Sequence, residues 1–130
     1  LFVANFVGSP GMNFMEGMLE SSAGQSHFTA RDSSVRIPLG EAAVSSRPIT
    51  LGVRPEYLRP DPAGPISGSV VLDEYLGSHR YTHLQTASGR VVMRSSSQHR
   101  VGEQASLGLN LEHVHLFDSS TGRNLGHAHA

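Results

Sequence analysis

Neither cysteine nor lysine occurs in the chain, tryptophan is absent too, and all ten basic residues are arginine. A P-loop needs its lysine on the nucleotide phosphates and a Schiff-base enzyme needs an amine nucleophile. A P-loop ATPase, a lysine-dependent aldolase or a pyridoxal enzyme therefore cannot be complete within these residues. Without thiols there are no thiolate zinc sites, disulfide frameworks, cysteine nucleophiles or redox pairs, and disulfide chemistry gives no reading of the compartment. An excess of one charge is missing as well. The formal net charge is −1 with neutral histidines, and the arginines are scattered from Arg31 to Arg123, which leaves no electrostatic footprint for nucleic acid or anionic lipid. The longest apolar run, Leu1 to Val7, is broken by Asn5 and ended by Gly8. It falls well short of the ~20 residues that span a bilayer and lacks the basic start of a signal peptide. An opening leucine and this abrupt apolar start lead us to expect a piece of a longer protein.

A chain of 130 residues buries roughly two-thirds of the surface its unfolded form exposes, enough for one domain or two very small fused ones. Leu1 to Val7 reads as the last turns of a helix, because Gly8 suits a left-handed C-terminal cap and Pro10 cannot continue the helix. After that the period changes to two. Val35, Ile37 and Leu39 alternate with Arg36 and Pro38; Ile49, Leu51 and Val53 with Thr50 and Gly52; Ala105, Leu107, Leu109 and Leu111 with Ser106, Gly108 and Asn110. These predict half-buried strands. Weaker strand signals run over 13–20, 27–30, 66–76, 81–86 and 91–94, punctuated by Gly24, Gly77-Ser78 and Ser88-Gly89. Many short strands with frequent turns predict a small barrel or sandwich.

Shifting the sequence by 56 positions lays Leu51-Gly52-Val53-Arg54-Pro55-Glu56-Tyr57-Leu58 on Leu107-Gly108-Leu109-Asn110-Leu111-Glu112-His113-Val114. The same shift pairs His27 with His83, Val35 with Val91 and Ile37 with Met93. One offset serving several strand pairs points to two tandem β-units of one plan. The expected organisation is 1–12 as helix end and linker and 13–130 as the domain proper. Within the domain, repeat 1 covers about 13–58, a stiff Pro-rich connector 59–68, repeat 2 about 69–118 and a tail 119–130. In each unit the last strand runs into a Glu-containing turn. Pro55 has the backbone angle preset for the first helical position, and Glu56 would sit where unpaired N–H groups favour a carboxylate. Glu56 and Glu112 thus read first as repeated strand-to-turn caps.

Histidine is the most over-represented reactive type, and His113-x-His115 and His127-x-His129 have the spacing at which two strand residues could share a metal. No third ligand accompanies them. His113 is expected in the turn, pointing away from His115, and His127 and His129 in a disordered Gly/Ala tail. His79, Tyr81, His83 and Gln85 share one strand face, a polar stripe for solvent or an interface. Asp73 and Glu74 are neighbours on a strand and face opposite sides. No nucleophile elbow or convergent carboxylate pair is present, so hydrolytic chemistry has no candidates. Five Phe and three Tyr fall mostly at apolar pattern positions, which favours core packing over a base-stacking groove.

The stretch Leu1-Phe2-Val3-Ala4-Asn5-Phe6-Val7-Gly8-Ser9-Pro10-Gly11-Met12-Asn13-Phe14 resembles the segment after the ATPase domain in ATP-binding subunits of sugar-uptake ABC importers of the maltose and glycerol-3-phosphate type. Leu51 to Leu58, Glu74-Tyr75-Leu76-Gly77, and His115-Leu116-Phe117-Asp118 with Thr121-Gly122 follow in the same order. The resemblance implies the family's C-terminal regulatory domain, all-β, with two tandem OB-like small barrel units behind a short N-terminal helix remnant.

It also implies regulation and dimerisation without catalysis in these residues. ATP and Mg belong to an ATPase domain on the N-terminal side, no cofactor or metal is expected here, and the full-length parent would be a transport ATPase. Implied partners are a second copy, the ATPase domain and, through the parent, the permease subunits, at the cytoplasmic face of the inner membrane; nucleic acid is not among them. Candidate dimer or regulatory contacts are Arg54, Glu56, Glu112, His115, Phe117 and Asp118. The alternatives are a small-ligand, oxyanion-type OB module of a related ABC ATPase and a nucleic-acid-binding OB barrel.

Overall fold

Strands form where side chains alternate between core and solvent. In Arg36–Gly40, Ile37 and Leu39 are buried while Arg36 and Pro38 are exposed. In His79–Thr86, Thr82, Leu84 and Thr86 are buried and His79 and Gln85 exposed, as the polar stripe requires. The computed structural model describes residues 11–32, 35–40 and 46–127. The helix expected over Leu1 to Val7, most of the linker expected over 1–12, and His129 lie outside them. Within the described residues the elements are β1 (Asn13–Ser22), β2 (Gln25–Ala30), β3 (Arg36–Gly40), β4 (Arg47–Val53), a single 3-10 turn (Pro55–Tyr57), β5 (Leu58–Pro60), β6 (Ile66–Leu76), β7 (His79–Thr86), β8 (Gly89–Ser95), β9 (Gln104–Leu109), a second 3-10 turn (Leu111–His113), β10 (His115–Asp118) and β11 (Asn124–His127). The fold class is all-β, as expected. Ala23 and Gly24, at φ of 53° and 80°, make the tight turn between β1 and β2, whose left-handed geometry matches the twist of the strands.

The strands form two sheets, in the orders β11-β10-β4-β1-β2-β3 and β5-β9-β6-β7-β8. An offset of 56 carries the first 3-10 turn onto the second, residue for residue. Pairing follows the same plan in each unit: β1 lies between β2 and β4, and β6 between β7 and β9. The strand after each turn then crosses over. β5 leaves the first unit to pair with β9 (Leu58↔Leu109, Pro60↔Leu107), and β10 leaves the second to pair with β4 (His115↔Gly52, Asp118↔Ile49). Each unit's sheet is thus completed by the other's strand. Leu19, Phe28, Leu51, Leu84, Met93 and Leu107 accordingly belong to one continuous apolar cluster.

The exchange corrects several expectations. Residues 59–68 are not simply a connector, because Arg59 and Pro60 are paired in β5 and Ile66 to Gly68 in β6. Pro60 is tolerated because β5 is an edge strand and its missing N–H faces no partner. The tail carries a strand: His127 is not in a disordered segment but pairs with His115 through β11. Leu111 does not extend β9; it opens the second turn. Finally, β4 is not half-buried. Ile49 through Val53 are buried on both faces, since β4 is central and a small cluster of Met12, Phe14 and Phe117 covers its second face.

Equivalent residues of the two units meet where the internal two-fold passes. The Tyr57 and His113 rings stack with centroids 3.7 Å apart and planes 8° from parallel. Ser88 donates to Asp32 Oδ1 at 3.0 Å. Both pairs are separated by 56 in sequence. Beside them the Asn13 amide acts as a short strand partner for β8, donating to Val92 O at 2.9 Å and accepting from Val92 N–H at 2.8 Å.

Candidate functional site

The two 3-10 turns meet through the Tyr57–His113 stack, with Arg54 and Glu56 in or before the first turn and Glu112 in the second. Each turn solves its start differently. In the first, Pro55 occupies the opening position with Arg54 extended before it and no side-chain cap; the proline has no N–H to satisfy. In the second, Asn110 Oδ1 accepts from Glu112 N–H at 3.3 Å while its amide donates to Glu112 Oε1 at 3.0 Å. Both glutamates lie in the first turn, as expected, and both are exposed. Glu112 also lies 3.7 Å from His113 Nε2. His113 is in the turn and separated from His115, which sits on β10 with its ring 6.2 Å from that of Phe117.

Phe117 and Asp118 close strand β10. Phe117 is buried and meets Phe14 edge-on at 6.2 Å. Asp118 organises the turn into β11, with its Oδ1 accepting from Ser120 N–H at 2.8 Å and Thr121 N–H at 3.1 Å and Arg47 donating to Oδ2 at 3.4 Å. Desolvation alone would raise its pKa, yet the Thr121 and Ser120 N–H groups, the Thr121 hydroxyl and Arg47 together hold it below the usual carboxylate value. Donors aimed at the charged form favour that form.

The topology also joins groups that the sequence pattern did not connect. Asp73 accepts from Thr82 Oγ1 at 2.7 Å, Arg80 Nη1 at 3.0 Å and His99 N–H at 3.1 Å. Its burial pushes the pKa up, but these three donors and the Arg80 charge outweigh that, and the net shift is downward. Glu74 instead meets His83 at 3.0 Å, so Asp73 and Glu74 do serve opposite faces. Each unit carries a carboxylate, imidazole and guanidinium across three neighbouring strands: Glu20, His27 and Arg36 in the first, Glu74, His83 and Arg90 in the second. The pairing of His27 with His83 under the offset of 56 was the signal for this. Among the described residues no group of three His, Asp or Glu could hold a metal ion.

The TOBE domain family matches residues 51–117. The chain belongs to the TOBE domain family. Residues 8–58 of this TOBE chain match the MalK OB fold domain, so the two matches meet at the first 3-10 turn. Among curated proteins, the chain is similar to the sn-glycerol-3-phosphate import ATP-binding protein UgpC of Chromobacterium violaceum, 35% identical over 99% of the chain and 36% of the relative. It is similar to UgpC of Escherichia coli at 33% identity, over 96% of the chain and 36% of the relative. It also matches the uncharacterized ABC transporter ATP-binding protein YurJ of Bacillus subtilis at 31%, over 93% and 37%. The TOBE chain therefore spans about a third of the length of these relatives.

Proposed function

We infer that this TOBE chain is the non-catalytic regulatory and dimerisation module of the ATP-binding subunit of an ABC importer for sugars or related carbohydrates. The observation that carries the reading is the pair of family matches, OB then TOBE, which overlap at 51–58 and together cover residues 8–117 on two units that complete each other's sheets. The relatives are named as ATP-binding proteins of ABC transport or sn-glycerol-3-phosphate import. In the parent, ATP and Mg bind an ATPase domain on the N-terminal side, and the permease holds the subunit at the cytoplasmic face of the inner membrane. Among the described residues no helix is long and apolar enough to cross a membrane.

The mechanical role needs a rigid module and a self-complementary patch. Strand exchange supplies the rigidity, because neither unit can open without breaking the other's sheet. The patch in this reading draws on Arg54, Glu56, Glu112, His115, Phe117 and Asp118. Two-fold contacts there would act as a hinge holding two ATPase domains together while they open and close. Light scattering of the purified chain across a concentration series tests this. A dimer that weakens in an Arg54→Glu, Glu112→Arg variant supports the patch, and a strict monomer at the highest concentration sinks the self-association. The parent assignment fails if the gene upstream encodes no P-loop and no ABC signature.

A further inference from the structure

The second unit has an open cleft of about 630 Å³ where its barrel meets itself. β5 and β8 are the two edges of the five-stranded sheet; the cleft lies along both of them, and the tip of the β6–β7 hairpin forms its wall. Three arginines line it, Arg59 from β5, Arg80 from β7 and Arg94 from β8, against a single lining carboxylate, Glu56. This is a local excess of positive charge on a chain whose formal net charge is −1. Among the described residues neither Arg59 nor Arg94 has a carboxylate within ion-pair distance, and both are exposed.

Arg80 is positioned in advance. Asp73, whose side chain is only 7% exposed, holds its Nη1 at 3.0 Å, and the Tyr75 ring lies 5.4 Å below the guanidinium carbon. Ser95, at the end of β8, is fixed by a short turn in which its hydroxyl donates to Ser97 O at 2.9 Å and accepts from Ser97 N–H at 3.1 Å. Guanidinium forks bind phosphate oxygens bidentately, a preorganised fork loses less entropy on binding, and Arg59 and Arg94, with no carboxylate in ion-pair distance among the described residues, carry charge that an anion can meet. Glu56 could accept only from hydroxyl groups of such a ligand.

From this cleft we propose a binding site for a phosphate dianion, with the phosphate monoester of a small sugar or polyol as the fuller ligand. The phosphoryl group sits among Arg59, Arg80 and Arg94, and Glu56 and Ser95 meet the hydroxyls. The site shares Glu56 with the dimer patch, but its three arginines lie outside that patch, and it stands whether or not the importer reading does.

The test is calorimetric titration of the whole chain with glucose 6-phosphate, inorganic phosphate and glucose, at constant ionic strength. One saturable site for the phosphorylated compounds and none for glucose is expected. Tighter binding of the ester identifies the ester as ligand, and equal binding identifies free phosphate; either supports the dianion site. Arg59→Gln and Arg94→Gln should each weaken binding by about tenfold, one lost charge-assisted contact apiece. Because neither side chain has an ion-pair partner among the described residues, their thermal melts should match the wild type. Absence of saturable heat with both phosphates, or unchanged affinity in both variants, overturns the proposal.

Discussion

The two units share one plan but finish their surfaces differently. In the first, the glycine of the repeated Leu-Gly-apolar motif lies under a lid of side chains: a Cβ on Gly52 would come 2.7 Å from Met12 Sδ and 3.1 Å from Phe117 Cε2. In the second, the equivalent Gly108 is covered by a turn, and its Cβ would meet Asp61 Oδ2 at 2.7 Å. That turn is built by Asp61 itself, whose Oδ1 accepts from Ala63 N–H at 3.0 Å and whose backbone N–H donates to Ser106 O. The first unit is therefore sealed by apolar packing and the second by a polar loop. The second also exposes Val71, Leu72, Tyr75, Leu76 and Val101, against Met18 alone in β1 to β4 among the described residues. Both copies feed one core, so the difference between them lies at the surface, where the arginine cleft also lies along the second sheet.

The largest expected effect asks whether these are two units at all. Leu51 and Leu107 are equivalent and 1% and 0% exposed. Leu51→Ala and Leu107→Ala should each cost about 2–5 kcal/mol by deleting packed methyls and leaving a cavity. Because the strands are exchanged, each variant should still melt in a single transition that both far- and near-ultraviolet circular dichroism follow. Two separated transitions would break the picture of one cooperative core.

Next comes the difference in lids. Gly52→Ala forces buried Met12 and Phe117 apart and should cost roughly 1–3 kcal/mol, the usual range for overpacking. Gly108→Ala meets a partly exposed carboxylate that can swing aside, so its denaturation midpoint should fall less. Equal losses would mean that the Asp61 turn is as rigid as the aromatic lid.

A smaller effect separates the units by pH. Asp73, in the second, has a folded-state pKa below its ordinary 3.8. Its donors therefore stabilise the fold above the unfolded pKa, and that contribution is lost as pH falls through the lowered folded value. Between about pH 5 and pH 3 the melting temperature of Asp73→Asn should fall less steeply than that of the wild type. Parallel slopes would remove Asp73 from the acid response. The smallest effect is at the junction. Tyr57→Ala and His113→Ala in a double-mutant cycle should show a coupling of about 0.5–1.5 kcal/mol for the ring stack, and a coupling of zero would leave the two turns merely adjacent.

Much of this was legible in the chain. Alternation located β3, β4 and β9, the weaker patterns marked β1, β2, β6, β7 and β8, and the offset of 56 anticipated that both glutamates lie in equivalent turns. The same offset, followed further, names Tyr57 with His113 and Asp32 with Ser88, although sequence gives no reason for equivalent residues to touch. β11 was missed because Asn124 to His127 has no apolar alternation and is a strand only by pairing with β10. The cleft was missed because Arg59, Arg80 and Arg94 are scattered along the chain and brought together only by the barrel's closure.

The sequence by itself determined the class of structure and the excluded chemistry, because period-two patterning, turn residues and missing side-chain types act locally and are readable one segment at a time. Tertiary structure alone decided that β5 and β10 trade partners, that β4 is buried on both faces, and that exposed arginines converge on one cleft. Those outcomes depend on which edges meet across long stretches of chain. Backbone pairing that any residue but proline can make leaves little trace in the residues that make it.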